Sequence, residues 1–373
     1  MTTPDSSLPP VAIGPYQVRL AGPGDAPGLR QLFAGVPLPG AISLAFERHD
    51  PWAQAQLQCE APQVWLATRP GDGRLVASYA CGQRLVYVNG RPRRIPYLSD
   101  LRIAPEARSG LLLAGGFKHL RQSTLMPPAY AQTLILRQNH HAMQLLTSRR
   151  ASLPSYLATG DYDHFALAAQ SGRVPADQGL RAATPADFNA MQALYEEVAP
   201  QYQFRPVYRF DQLGQPYFDG LKIGDFLCAW RGPQLLGFAA LWDLSHLRQT
   251  RVHAYQPWLN CLRRPYNLTW GQWRGIPLPP PGTALREATL TALTCRPGDL
   301  ASAAALVRAL LAMAHQRGLA MVHLGMAAED PLRSVVTGLR RRNFPGRHFL
   351  ATFGPDPRPE LDDRPCYFEA ARI

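Results

Sequence analysis

Apolar and polar positions along this chain fall into a pattern that occurs twice. The stretch VWLATRPGDGRLVASYA (64–80) reads as an apolar strand, a Gly-containing turn and a second apolar strand, and DFLCAWRGPQLLGFAAL (225–241) repeats it. Both are patterned as hairpins. Ahead of each lie a short strand, a Pro turn and an amphipathic helix. VRLAGPGDAPGLRQLF (18–33) aligns without a gap with LRAATPADFNAMQALY (180–195). The pairs are Arg19 with Arg181, Ala21 with Ala183, Pro23 with Pro185, Asp25 with Asp187, Leu32 with Leu194 and Phe33 with Tyr195, at a constant offset of 162. Each Asp falls where a helix N-cap is expected. Two matched blocks in the same order imply an internal duplication.

The periodicity continues in parallel. In the first half a long strand IPYLSDLRI (95–103) leads to helix 111–123, strand 131–136, helix 139–150 and strands near 155–158 and 163–169. In the second, strand 285–293 leads to helix 301–318, strand 320–326, helix 330–342 and strands 348–353 and 366–372. This order predicts the α/β (α+β) class, with two tandem domains, each a mixed, mostly antiparallel sheet flanked by helices. The expected divisions are a disordered lead-in 1–14, a first domain 15–170, a polar linker 171–178 and a second domain 179–373. The second domain carries an insertion near 243–283 with Trp258, Trp270, Trp273 and the run Pro277 to Pro281. It is expected to fold over its own domain; the alternative is a lid over an acceptor site in the first.

Composition narrows the partners. A length of 373 residues suits two domains. No run of about 18 apolar residues suggests a membrane span, and the N-terminus lacks a signal-peptide pattern, so a cytoplasmic location is expected. Cys59, Cys81, Cys228, Cys261, Cys295 and Cys366 are not at metal-ligand spacing and read as reduced thiols. The formal charge of +12 is almost all arginine, since the lysines are Lys118 and Lys222. A GC-rich genome gives that bias without selection. Read functionally, it attracts anions, and because the arginines are dispersed an anionic small molecule is favoured over nucleic acid.

The stretch YLSDLRIAPEARSGLLLAGGFKHL (97–120) carries the most chemistry. A strand runs into a Pro turn, and Arg108, Ser109 and Gly110 open a helix whose first backbone amides are free to hold a phosphate. Further on, Asn139, Ala142 and Leu145 form an N-x-x-A-x-x-L pattern at a helix start. Together these features resemble the coenzyme A segment of the GNAT acetyltransferase superfamily. The resemblance implies that Leu101, Arg102 and Ile103 pair with the pantetheine arm. It places the pyrophosphate on the amides of Arg108, Ser109, Gly110, Leu111, Leu112 and Leu113, with Asn139 beside the coenzyme. The usual loop has glycines where Leu111 and Leu113 stand, and the superfamily's frequent Tyr is here Leu146.

Candidate catalytic groups are few. Asp100 is a candidate base, or an ion-pair partner of Arg102 or Arg94. Tyr156 is a candidate acid, or a core residue. Glu47 with His49 either lines an acceptor cleft or sits on a solvated turn, while His140 and His141 read as surface residues. In the second half, Pro297, Gly298 and Asp299 replace the Arg-Gly loop and Asp330 the asparagine, so a degenerate domain without coenzyme is expected. The implied function is acyl-CoA-dependent N-acyltransfer, acetyl-CoA being the implied co-substrate, in the first domain. The acceptor is an unidentified small-molecule or peptide amine, and no metal, nucleic acid or membrane is expected. The alternative is a non-catalytic binding or scaffold protein with both sites decayed.

Overall fold

The computed structural model describes residues 9–38, 40–108, 110–122, 130–148, 150, 152–171, 179–271 and 276–373, apart from the side chain of Trp270. Ser109, most of the 171–178 linker and Trp273 lie outside the described residues. The first half runs β1 (Val11–Ile13), β2 (Tyr16–Leu20), α1 (Ala26–Ala34), β3 (Ile42–Arg48), α2 (Pro51–Gln58), β4 (Glu60–Thr68), β5 (Leu75–Val88), β6 (Arg91–Ile103), α3 (Leu111–Gln122), β7 (Tyr130–Leu136), α4 (His140–Leu146) and β8 (Ser155–Ala168). The second half runs β9 (Leu180–Ala182), α5 (Phe188–Val198), β10 (Phe226–Arg231), β11 (Gln234–Trp242), β12 (Arg248–Tyr255), α6 (Pro257–Tyr266), β13 (Glu287–Cys295), α7 (Leu300–Gln316), β14 (Met321–Ala327) and β15 (Arg341–Thr352).

The duplicated blocks fold alike. Arg19 donates to both carboxylate oxygens of Asp25 at 2.7 Å, and Arg181 does the same to Asp187 at 2.6 and 2.8 Å. Each carboxylate also accepts the backbone amide three residues earlier, from Gly22 or Thr184, at 2.8 Å. The Asp therefore closes the Pro turn and pins its strand, where an N-cap bond to the following helix was expected. The matched positions Leu32 and Phe33, and Leu194 and Tyr195, are buried beneath these helices.

The two halves form one thirteen-stranded sheet, ordered β1-β2-β4-β5-β6-β7-β15-β8-β14-β13-β11-β10-β9. It is mostly antiparallel; β6 with β7 and β13 with β14 are the parallel neighbours. At the centre the halves exchange strands. β15 of the second half lies against β7 of the first, and β8 of the first lies against β14 of the second. β8 and β15 pair with each other from Leu167↔Arg341 to Ser155↔Thr352. A second contact is a two-stranded sheet of β3 with β12.

Several sequence expectations are corrected. Val11–Ile13 of the expected lead-in is strand β1. The two short strands near 155–158 and 163–169 are one strand, β8, with a register shift near Thr159. The helix expected over 330–342 is one 3₁₀ turn, Arg333–Val336, because the chain turns at Gly338 (φ +77°) and enters β15 at Arg341. Residues 366–372 are no strand; they hold an isolated bridge at Cys366 and a 3₁₀ turn, Ala370–Arg372. The insertion reaches the first half through β12, and its Ile276 also packs on Met321 and Phe344 of its own half. No helix among the described residues is long and apolar enough to cross a membrane.

Candidate active site

Strand β6 is bulged near its end. Arg102 faces Ser78 and Ser99 faces Ala80, so Asp100 and Leu101 together oppose Tyr79. Asp100 takes the left-handed conformation (φ +52°), unusual for a residue with a side chain and tolerated best by Asp and Asn. The second half keeps this bulge. Thr291 and Thr294 of β13 face Ala240 and Phe238, and Ala292 has φ +55°. Both halves thus carry the same left-handed backbone position at the bulge, with a different residue on it.

Beside each bulge the parallel neighbour diverges. β6 and β7 register only at Tyr97↔Gln132, so Leu101, Arg102 and Ile103 present an edge without a strand partner from β7. Into that opening extends a cavity of about 410 Å³. Asp100, Leu101, Arg102, Ile103, Leu112, Leu113, Asn139 and Tyr156, all singled out from sequence, line it together. In the second half β13 and β14 pair only at Glu287↔Met321, Ala288↔Val322 and Thr289↔His323 before separating. That wedge is plugged. Tyr367 and Glu369 fill it between Leu290, Leu293, Leu324 and Met326, leaving about 10 Å³.

The other expected residues are placed as follows. Asn139 caps α4, its side-chain oxygen accepting from Ala142 N at 3.2 Å, which gives the N-x-x-A pattern a structural reason. Gly110 (φ +79°) turns the chain into α3, and Arg108 donates to the Ile103 carbonyl at 3.2 Å. Leu112 and Leu113 point into the core, whereas Leu111 is exposed. Leu146, at the family's Tyr position, also lines the cavity. His140, His141 and His49 are exposed, while Glu47 lines the cavity and is held by Arg251 at 2.6 Å.

Charge is concentrated where the halves meet. Arg48 donates to Asp100 at 3.0 Å. Burial alone would raise the Asp100 carboxyl, but Arg48 and Arg102 outweigh it and hold it below the usual range. Asp100 is therefore a weak base with an ion-pair role, and its partners are Arg48 and Arg102, not Arg94, which pairs with Glu60. Burial pushes the Tyr156 phenol well up, and its ring lies edge-on to Phe117 and Phe349 at 6.3 and 5.9 Å.

Sequence reading missed a second group on the same cavity wall: His164 on β8, His323 on β14, Glu287 on β13 and Arg248 on β12. His164 Nε2 lies 2.7 Å from His323 Nδ1, and His323 Nε2 lies 2.8 Å from Glu287 Oε2. These residues are far apart in sequence and meet only through the exchanged strands. Among the described residues, no cluster of His, Cys, Asp and Glu is arranged to hold a metal ion.

No family model matches this chain, and no curated protein matches it in sequence. Solved structures do. A GCN5-related N-acetyltransferase from Sphaerobacter thermophilus matches at TM-score 0.55 and 16% identity over 91% of this chain and 96% of its own. The N-myristoyltransferase of Saccharomyces cerevisiae, solved with bound myristoyl-CoA, matches at TM-score 0.60 and 10% identity over 95% and 88%. The GCN5-related glucosamine N-acetyltransferase region of a fungal multi-domain β-N-acetylglucosaminidase matches at TM-score 0.57 and 11% identity, over 93% of this chain and 39% of that one. At such identities the likeness concerns architecture, and it agrees with the paired bulges and wedges: the chain has the fold of the GNAT superfamily, in two copies joined by exchanged strands.

Proposed function

We propose that the protein is an acyl-CoA-dependent N-acyltransferase whose reaction takes place in the first-half wedge. The carrying observation is the contrast between the two wedges, one open at about 410 Å³ and one filled to about 10 Å³ by the chain itself. The open one falls within the ~300–1,000 Å³ usual for small-molecule sites. Its β6 edge offers backbone groups that a pantetheine arm satisfies as an added strand. The first-turn amides of α3, beside the lining residues Leu112 and Leu113, are the groups this reading assigns to the pyrophosphate. Acetyl-CoA is the co-substrate the coenzyme motif implies, and the apolar walls also admit longer acyl chains.

Catalysis in this reading is positioning. The acceptor amine attacks the thioester carbon, the C–N bond forms, the C–S bond breaks and coenzyme A leaves. Asp100 and Leu101 of the bulge line the cavity, and a backbone amide there is the donor this reading assigns to the oxyanion. Calorimetry with acetyl-CoA and with a long-chain acyl-CoA tests the reading, with one site per chain expected. No binding of either at millimolar ligand would sink it. Leu111 and Leu113 at the loop's usual glycines and Leu146 at the usual Tyr favour a second reading, a protein that binds an acyl-CoA without turnover. That reading predicts one site and no loss of thioester across a panel of amines, polyamines and peptide N-termini.

A further inference from the structure

Hydrogen bonds across the central strands fix the tautomers that the histidine pair takes when both rings are neutral. Burial alone would raise the Glu287 carboxyl, but His323, Thr250 and Arg248 outweigh it and keep it ionised. An ionised carboxylate only accepts, so His323 Nε2 carries the proton of that 2.8 Å bond. In neutral His323 the other nitrogen, Nδ1, is then an acceptor. His164 Nε2 therefore donates the 2.7 Å bond to it, which leaves the lone pair of His164 on Nδ1. The chain is directional, running along the cavity wall from the His164 Nδ1 lone pair to the Glu287 carboxylate. Glu287, His323 and His164 stand on adjacent and next-adjacent strands β13, β14 and β8, and all three line the cavity that reaches the Asp100 bulge.

We infer that His164 takes the proton from the acceptor amine, with His323 and Glu287 as positioning residues that set its tautomer and receive the charge. This rests on the acyltransfer reading. The ammonium gives a proton to His164 Nδ1, and His164 Nε2 passes its own to His323 Nδ1. His323 becomes the imidazolium beside Glu287. The freed amine attacks the acyl carbon, and the second proton of its nitrogen leaves with the thiolate as the coenzyme thiol. The positive charge on the histidines then returns to water.

The surroundings suit this role. Against His164 lie His323, Phe344 edge-on at 6.3 Å and Phe368 at 6.2 Å, while Glu287, Arg248 on β12, Arg342 on β15 and the C-terminal Ile373, whose oxygen accepts from Arg248, line the same cavity. Burial first, and Arg248 after it, hold His164 well below the ordinary histidine range, and His323 adds to this only when it is itself protonated, so the resting His164 is neutral with its Nδ1 lone pair free. The Arg248 cation on this cavity disfavours an ammonium, which lowers the cost of removing its proton. Ile276, Leu278, Leu285 and Phe344 line the same wall. The acceptor is accordingly a primary amine on an apolar body.

Nitrogen-resolved spectra of the histidines in the full chain test the tautomers without any substrate. His164 is expected protonated at Nε2 and bare at Nδ1 at pH 7, and Glu287→Gln is expected to change the His323 pattern and flip His164 with it. A His164 proton on Nδ1 at pH 7, or an unchanged tautomer in Glu287→Gln, overturns the inference. Acylation of hexylamine by acetyl-CoA is expected to fall on the order of a hundredfold or more in kcat for His164→Gln, while acetyl-CoA affinity stays within about twofold. Wild-type kcat in His164→Gln overturns the relay and leaves the coenzyme site standing. Loss of acetyl-CoA binding by the wild type overturns the acyltransfer reading instead.

Discussion

The amide of Ala292 donates to the Glu369 carboxylate over 3.4 Å, at the place in the second half that Asp100 holds in the first. Glu369 also accepts from Ala371 N and from the Tyr367 hydroxyl, both at 3.3 Å. Glu369→Ala is expected to destabilise the protein by about 1–3 kcal/mol, since it strands buried donors. Glu369→Gln keeps an acceptor and is expected to cost less. Denaturant midpoints order the two; equal losses would show that the acceptor oxygen is immaterial.

Gly116 on α3 lines the cavity, and a Cβ there would meet nothing within 4 Å. Gly116→Ala is expected to stabilise by about 0.5–1 kcal/mol through helix propensity alone. Gly116→Trp is expected to fill the wedge and weaken acyl-CoA binding at least tenfold with little change in melting temperature. Calorimetry and thermal unfolding on the same samples separate the two effects.

Asp100 holds Arg48 and Arg102 in a buried setting. Asp100→Ala is expected to cost about 3–5 kcal/mol, because it leaves buried guanidinium charge unpaired. Asp100→Asn keeps a side chain that accepts the left-handed backbone and a hydrogen bond, so a smaller loss is expected. Equilibrium unfolding of both variants checks the order.

The repeated Arg–Asp clasps make an acid limb. The Arg181 hydrogen bond, with the Thr184 amide and hydroxyl, holds the Asp187 carboxyl well below its ordinary value, and Arg19 lowers Asp25 likewise. A depressed carboxyl contributes stability that is full above its unfolded value near 3.9 and is lost as pH falls through the folded value. Unfolding free energy measured from pH 6 down to 2.5 is expected to drop less steeply in Asp187→Asn than in the wild type. Parallel curves would remove the clasp from the account.

The duplication was legible because Arg19 with Asp25 and Arg181 with Asp187 are close in sequence and make the same local clasp. The strand, Pro turn and helix start of 97–120 were legible for a similar reason, since they are read from neighbouring residues, whereas the bulge at Asp100 was not. What escaped was long-range. Thr159, Gly160 and Asp161 look like a turn between two strands, yet β15 pairs across them and makes one strand of both. Asp330 followed by Pro331 opens like a helix, but Gly338 ends it so that Arg341 can enter the sheet. The approach of His164 to His323 depends on the register Ala166↔His323 across exchanged strands, which no local pattern encodes.

The exchange of β8 and β15 bears on how the chain is made. A ribosome delivers β7 and β8 long before β15, with roughly 180 residues still to come after Ala168. At about 5–20 residues per second, the first half waits on the order of ten seconds or more with its central edges uncovered. During that wait the long apolar edges of β7 and β8 are open to pairing with another nascent copy, the hazard that uncovered strands carry. The same crossing that places histidines from two halves on one cavity wall therefore forbids either half from finishing alone, and the site can be completed only after nearly the whole chain has been synthesised.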